Sequence, residues 1–252
     1  MMRPYDELVA EAVEAEVDGW GFGWLDGRAT EERPPWGYAR LMAAHLAAVD
    51  SALDIDTGGG EVLAEASVLP GRMCATESWP PNAARARARL EPRGVEIAGT
   101  QQGAPLPFAD ASFELVTSRH PVRPDWAEIA RVLAPGGTYL AQHVGPHSAF
   151  ELIEWFLGPV PGPPARDPEV EAADATAVGL EVVDLRTARL RMELCDIGSV
   201  VWILRKCVWW VLDFTVERYD RRLRELDALI RREGRFVAHS TRHLIEARRV
   251  SG

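Results

Sequence analysis

Residues 51–63, SALDIDTGGGEVL, decide the fold, because they have the pattern of a buried strand that runs through a glycine turn into a helix. The three glycines 58–60 remove every Cβ from the turn, and the apolar residues before them suit a short buried strand. Glu61 follows in the first helical turn, where its charge suits the helix dipole. The pattern predicts a cofactor loop, although a plain strand-to-helix turn can also use such glycines.

The charges around this turn narrow the class of ligand. Asp54 and Asp56 flank it, and no Lys or Arg occurs between Ser51 and Glu61. A pyrophosphate would meet two carboxylates at short range, where like charges repel, so a phosphate-rich cofactor is disfavoured. A ligand with cationic groups and a ribose diol fits better.

A further acidic residue stands at the spacing that a nucleoside site needs. Residues 71–77 have the pattern of the second strand of a βαβ unit, and Glu77 ends that strand, 17 positions after Gly60. Dinucleotide-binding domains place an acid near this spacing to hold the ribose hydroxyls. An ordinary surface glutamate is the alternative.

Strand and helix patterns alternate along the rest of the chain, which predicts an α/β fold with a largely parallel sheet. The further predicted strands are residues 95–98, 113–117, 138–144, 180–194 and 236–247, and a helix is predicted at 125–133. Residues 135–137, Pro-Gly-Gly, are the predicted stop of that helix.

Three segments together resemble the class I S-adenosylmethionine (SAM)-dependent methyltransferases, in the group that acts on small molecules. They are the acid and glycine turn of residues 54–60, LPFADASFELV at 106–116 and ARVLAPGG at 130–137. The resemblance covers roughly residues 45–145. It implies a Rossmann-like, seven-stranded, mostly parallel sheet with helices on both faces and an antiparallel last strand. Asp56 departs from the family pattern, which has its first glycine there, and Asp tolerates positive φ less readily than Gly.

The resemblance also implies the cofactor, SAM, with S-adenosylhomocysteine (SAH) as product. Glu77 matches the acid that holds the two ribose hydroxyls, and Gln101 or Gln102 lies where the family has an Asp facing the adenine amine. A Gln carbonyl can accept the same hydrogen bond. The expected cofactor-binding residues are Asp54, Asp56, Thr57, Gly58, Gly59, Gly60, Glu77, Ser78, Gln101, Gln102 and Ser118.

Methyl transfer from a sulfonium is an in-line displacement, so alignment and desolvation suffice unless the nucleophile needs deprotonation. His143 and His120 are the candidate general bases, ahead of His147, since the predicted strands 113–117 and 138–144 carry them to the edge where open parallel sheets bind ligands. A structural histidine is the alternative for each. The chain has three widely spaced cysteines, Cys74, Cys195 and Cys207. This number and spacing argue against a disulfide framework and against a zinc cluster, so no metal site is expected.

The predicted organisation is a single domain with additions. Residues 1–50 form a helical and aromatic lid, 51–195 and 235–252 the SAM-binding core, and 196–234 a helical cap inserted before the last strand. Within the cap, residues 196–212 are predicted as one helix. The aromatic residues near the N-terminus suit either a substrate lid or the packing of the N-terminal helix onto the domain.

Composition limits the partners. The formal net charge is −10, and the Arg-rich C-terminal part alternates with acids as on a solvated helix face, so no nucleic-acid partner is expected. No apolar run spans a bilayer and the N-terminus lacks a signal pattern, so we expect a cytoplasmic enzyme with a small-molecule substrate and no membrane partner; a homodimer stays open. The alternatives are a non-catalytic SAM- or SAH-binding protein and an NAD(P)-dependent oxidoreductase. Asp56 and a lone lysine, Lys206, disfavour the oxidoreductase.

Overall fold

The protein, seen in a computed structural model that describes residues 3–101, 103–161 and 166–250, is built on one eight-stranded sheet. The strands are β1 (Ala29–Glu31), β2 (Ser51–Ile55), β3 (Arg72–Glu77), β4 (Val95–Gly99), β5 (Phe113–Arg119), β6 (Leu133–Val144), β7 (Leu180–Leu194) and β8 (Phe236–Arg249). The α-helices are α1 (Tyr5–Glu14), α2 (Tyr38–Leu46), α3 (Glu61–Ala64), α4 (Pro80–Leu90), α5 (Trp126–Val132), α6 (Phe150–Leu157), α7 (Pro168–Ala177), α8 (Ile197–Lys206) and α9 (Val216–Glu233).

The strand order is β1-β7-β8-β6-β5-β2-β3-β4. The pairs β2–β3, β2–β5, β3–β4 and β5–β6 are parallel, and β8 runs antiparallel to β6. The predicted mostly parallel sheet with an antiparallel last strand is therefore confirmed. The predicted number of strands is one too few, because β1, a three-residue strand in the supposed lid, pairs antiparallel with β7.

Contacts divide the chain into two compact units. Unit 1 contains Met1–Arg33, His147–Gly162 and Arg189–Thr241, and unit 2 contains Pro34–Pro146, Pro163–Ala188 and Arg242–Gly252. These units do not coincide with the predicted lid, core and cap, since unit 1 combines parts of all three. Strands β7 and β8 each begin in one unit and end in the other, which is why a sequence reading by elements does not separate the units.

Unit 2 carries helices on both faces of its strands, as predicted. Side chains alternate along a strand, so Ala52 of β2 joins an apolar cluster with Met42 of α2 and Leu90 of α4. Leu53 faces the other way, into a cluster with Ile129 of α5. Burial of each such large side chain stabilises the fold by about 1.5–3 kcal/mol.

Unit 1 has its own core, in which the N-terminal helix packs with the helices predicted as a cap. Trp202 of α8 is the centre of its aromatic contacts, since it stacks on Trp24 with ring centroids 5.6 Å apart and donates its indole N–H to the Glu16 carbonyl. Lys206 donates to three backbone carbonyls, those of Val17, Asp18 and Gly19. This lysine, the last residue of α8, therefore fixes the segment that follows α1.

Two predicted elements differ in extent. The helix predicted at 196–212 ends at Lys206, so Trp209 and Trp210 lie in the turns that follow. Strand β6 begins at Leu133, and the Pro-Gly-Gly segment lies within it at an irregularity in its pairing with β5, where Phe113 faces Leu133 and Leu115 faces Thr138. Across the described ranges, no helix combines the length and the apolar character that crossing a membrane requires.

Candidate active site

The glycine turn after β2 has the left-handed backbone that its sequence pattern predicts. Gly58 and Gly60 have φ values of 64° and 78°, and Asp56, where the family pattern has a glycine, has a φ of 55°. The aspartate therefore adopts the conformation of the residue it replaces, at a cost in strain. Backbone hydrogen bonding supports the bend, since the Thr57 N–H donates to the Thr76 carbonyl at 2.9 Å.

Close packing explains the last glycine of the turn. A Cβ on Gly60 would lie 2.6 Å from a methyl carbon of Leu90, which is a steric clash. Arg89, from the same helix α4, donates to the Gly59 carbonyl and forms an ion pair of 2.8 Å with Glu61. Helix α4 thus holds the turn in place from outside the sheet.

Asp54, at the carboxyl end of β2, is buried with 6% of its surface exposed. Its carboxylate accepts a hydrogen bond of 2.6 Å from the Thr117 hydroxyl of the neighbouring strand. Burial raises the pKa of Asp54 to about 6, although the hydrogen bond from Thr117 acts in the opposite direction. The ionised carboxylate is therefore destabilised and would gain from a nearby cation.

Glu77 and Asp56 bring two more carboxyl groups to the same edge. Glu77 is 6% exposed, and its Oε1 accepts a hydrogen bond of 2.8 Å from the Trp79 N–H. Burial raises the pKa of Asp56, and the charge of Glu77 raises it further, which places the two carboxylates close together. Among the described residues, neither of them nor Asp54 forms an ion pair. The site thus suits a ligand with a positive charge and hydroxyl donors.

The remaining predicted cofactor residues fall in different surroundings. Ser118 is buried at the end of β5 and donates to the Ile55 carbonyl at 3.0 Å, next to Asp56. Ser78 and Gln101 are exposed, after β3 and β4 respectively. Gln102 lies outside the described residues.

His120 follows β5 and occupies this edge as predicted. It is half-buried and has a left-handed φ of 58°. Its backbone N–H donates to the backbone carbonyl of Gln142 at 2.7 Å. Burial lowers the pKa of His120 well below its ordinary value, and the charge of Arg119 lowers it further. The ring is therefore neutral at physiological pH.

The prediction of His143 as a base does not agree with its position. His143 is 2% exposed, and both ring nitrogens have partners, since Nδ1 lies 2.5 Å from Glu171 and Nε2 lies 3.1 Å from the Tyr139 hydroxyl. Gln142, its neighbour in β6, is the residue that contacts His120 at 2.9 Å. Adjacent strand residues face opposite sides of the sheet, so His143 points away from His120 and we do not place it in the reaction.

His143, Glu171 and His243 form a buried triad that the sequence did not suggest. Both histidines hydrogen-bond the same oxygen of Glu171, His143 at 2.5 Å and His243 at 2.8 Å. Although burial opposes it, these two bonds lower the pKa of Glu171 to about 2. The residue types suit a metal ion, but ligands around a tetrahedral zinc lie roughly 3.3 Å apart, so the observed distances are those of hydrogen bonds.

Comparison with known proteins agrees with this geometry. The family described as Methyltransferase domain matches residues 53–141, which include the glycine turn, Glu77 and His120. Residues 53–141 form a methyltransferase domain of this family. A comparison with curated proteins finds no match.

Solved structures show that the fold around the methyltransferase domain is shared. A Bacillus halodurans protein proposed to be a methyltransferase is 17% identical with a TM-score of 0.60, over 83% of this chain and 98% of that one. The cyclase SpnF is 16% identical with a TM-score of 0.54, over 98% and 94%. Geranyl diphosphate methyltransferase, in complex with GPP and sinefungin, is 17% identical with a TM-score of 0.50, over 84% and 78%. At these identities the likeness establishes the fold alone.

The methyltransferase family implies SAM as the methyl donor, and the acidic edge of the methyltransferase domain fits it. Three carboxyl groups that form no ion pair with any described residue lie at a turn whose glycines, residues 58–60, have no side chains, which suits a sulfonium, an ammonium and a ribose diol. Gln142 contacts His120, and Trp36 contacts Gln142. The residues at the acidic edge itself that the sequence did not identify are Tyr38 and Thr117. They come from other elements, and only the strand register brings them here.

Proposed function

We propose that this protein is a SAM-dependent methyltransferase that transfers a methyl group to a small-molecule acceptor. The observation that carries the proposal is the group of three carboxyls, Asp54, Asp56 and Glu77, at the glycine turn. Charges this close and this buried are costly without a positive partner. A cationic nucleoside would relieve that cost.

Each residue has a distinct task in this proposal. When bound, SAM supplies a methyl carbon already activated by its sulfonium. Glu77 has one oxygen committed to the Trp79 N–H, and its other oxygen accepts from the ribose diol. Asp54 and Asp56 stabilise the positive charge of the ligand, and the glycine turn allows the close approach.

The chain aligns the reactants and excludes water, and no general base is required for an acceptor that is already a nucleophile. The small-molecule class is supported by the likeness to geranyl diphosphate methyltransferase, whose structure holds GPP and the SAM analogue named sinefungin. The likeness to the cyclase SpnF supports the alternative of a protein with this fold that transfers no methyl group.

Calorimetric titration with SAM and SAH tests the proposal. Glu77→Gln keeps the acceptor for the Trp79 N–H but loses the charge, so SAM affinity should fall about 10- to 100-fold, the value of a charged hydrogen bond. Glu65→Gln, an exposed glutamate in the same part of the chain, is the matched control and should bind as the wild type does. Binding that is equal in both variants would remove Glu77 from the site.

A second measurement separates transfer from binding. Labelled methyl donor is incubated with pools of small acceptors, and transfer of label to any pool supports the enzyme. No binding of SAM or SAH would reject both the enzyme and the non-transferring alternative. Tight binding without transfer in any pool would favour that alternative.

A further inference from the structure

The ring of His120 is fixed in one tautomer by a relay of two side chains. The indole N–H of Trp36 can only donate, so the atom that it contacts at 2.8 Å is the carbonyl oxygen of Gln142. The amide nitrogen of Gln142 therefore faces His120 Nε2, at 2.9 Å. Because the amide donates, Nε2 accepts, and the neutral ring carries its hydrogen on Nδ1.

This tautomer gives His120 a role different from that of a base. The lone pair of Nε2 is already used by Gln142, so the ring has no basic nitrogen to offer a substrate. Its Nδ1–H is a donor that makes no hydrogen bond within the described part of the chain. Residue 120 is only half-buried, so this donor suits an acceptor atom on a ligand.

Positive charge surrounds this donor. Arg119 precedes it and lies opposite Gln142 in the β5–β6 register, and Arg242 lies opposite Val144 in the β6–β8 register. Arg166 acts on His120 as well, since all three guanidinium charges contribute to the low pKa of the ring. Within the described ranges, neither Arg119 nor Arg166 has a carboxylate at ion-pair distance.

The position of this group relates it to the cofactor edge of unit 2. Ser118, the residue before Arg119, lies opposite Ile55, which precedes Asp56. The Tyr38 hydroxyl donates to the Ser118 carbonyl at 2.9 Å. Burial is the main cause that raises the pKa of Tyr38, and the negative charge of Asp54 raises it further. The positive charge of Arg119 lowers the pKa of Tyr38, so this side chain is close to charges of both signs. The acidic residues at the glycine turn and the basic residue Arg119 are therefore neighbours at the carboxyl ends of β2 and β5.

We propose that Arg119 and the Nδ1–H of His120 bind an anionic group, a carboxylate or a phosphate, on the methyl acceptor, with Arg166 adding positive charge to the same corner. This inference rests on the proposed methyl transfer. A guanidinium binds either anion through two parallel hydrogen bonds, and a fixed imidazole N–H adds a third donor. The acidic turn receives the cationic methyl donor, and the basic corner orients the acceptor beside it.

The first experiment measures anion binding directly. Inorganic phosphate and succinate, as probes, are titrated into the protein with and without SAH. Arg119→Gln should weaken the binding of these anions by about tenfold or more while SAH affinity stays within about twofold. Arg248→Gln is the matched control, because Arg248 is exposed and pairs with Thr138 at the opposite end of β6. Equal losses in both variants, or no loss in either, would overturn the proposal.

A tautomer variant tests the relay itself. In Gln142→Glu the carboxylate accepts from both Trp36 and His120, so at a pH where the ring is neutral its hydrogen moves to Nε2 and Nδ1 loses its donor. Nitrogen NMR of the ring should report this change, with anion binding weakened and the SAH affinity retained. A changed tautomer with unchanged anion binding would remove His120 from the corner.

Two sources of the anion are distinguished by the same data. If Arg119→Gln weakens SAH more than phosphate, the corner serves the carboxylate of the cofactor and the assignment to the acceptor is wrong. In the transfer assay, labelled methyl should go to carboxylic acids or phosphates in preference to their amides or esters, and equal transfer to both would also overturn it. The titrations of phosphate and succinate without SAH test the anion site alone. A failure of the protein to bind SAM would therefore reject the proposed function without deciding whether the anion site exists.

Discussion

Asp54→Asn should make the protein without ligand more stable above neutral pH, although Asp54 belongs to the proposed site. Burial is the main reason that the pKa of Asp54 rises from its ordinary value of 3.8 to about 6. Each tenfold change in proton affinity is about 1.4 kcal/mol, so this rise corresponds to about 3 kcal/mol. The side chain is only 6% exposed, so solvent screening does not remove most of this energy.

The sign follows from the direction of the pKa. The folded state binds the Asp54 proton more tightly than the unfolded state, so this stabilisation is fully present below pH 3.8 and is lost as the pH rises to about 6. The asparagine variant has no such loss. Its advantage over the wild type should therefore grow by about 1.5 kcal/mol between pH 5 and pH 8.

Urea unfolding at several pH values measures this difference, and comparing pH values cancels the constant cost of burying an amide. Glu65→Gln, at an exposed position, is the control and should show no such trend. SAM affinity should fall in Asp54→Asn, since the charge that destabilises the empty site is the one that attracts the ligand. A difference in stability that stays constant with pH would refute the reasoning.

Two further changes test the turn and the triad. Asp56→Gly should raise the free energy of unfolding by about 1 kcal/mol, because glycine adopts the observed φ of 55° without strain; a less stable glycine variant in urea unfolding would contradict this. Glu171→Ala should lower that free energy by about 3 kcal/mol, because it leaves His143 and His243 buried without their acceptor. SAM affinity measured on the folded protein should not change in Glu171→Ala, and a selective loss of affinity would place the triad in the site after all.

The sequence predicted the geometry of the glycine turn and the placement of its acidic residues, because local chemistry determines both. A strand, a glycine turn and an acid on the next strand are each read from neighbouring residues, and the parallel pairing of β2 with β3 then brings Asp56 and Glu77 together. Even the departure at Asp56 was located correctly, since its positive φ is a property of the turn.

The division into two units could not be predicted in the same way. The core of unit 1 joins α1, near the N-terminus, to α8 and α9, about 200 residues later in the chain. Periodicity shows that each helix has an apolar face but does not identify its partner. Parts of the predicted lid and of the predicted cap therefore share one core, as the contacts of Trp202 and Lys206 show.

His120 and His143 show why the sequence could not predict the directions of side chains at the candidate site. Both were assigned to one edge because the strands now labelled β5 and β6 end there, and that reasoning places backbones correctly. It ignores which face each side chain takes, and in a strand a shift of one residue reverses the face. Gln142 thus takes the place expected for His143, and it fixes His120 as a donor rather than a base. The alternation of β6 was available in the sequence, but the partner of each face depended on the register with β5 and β8.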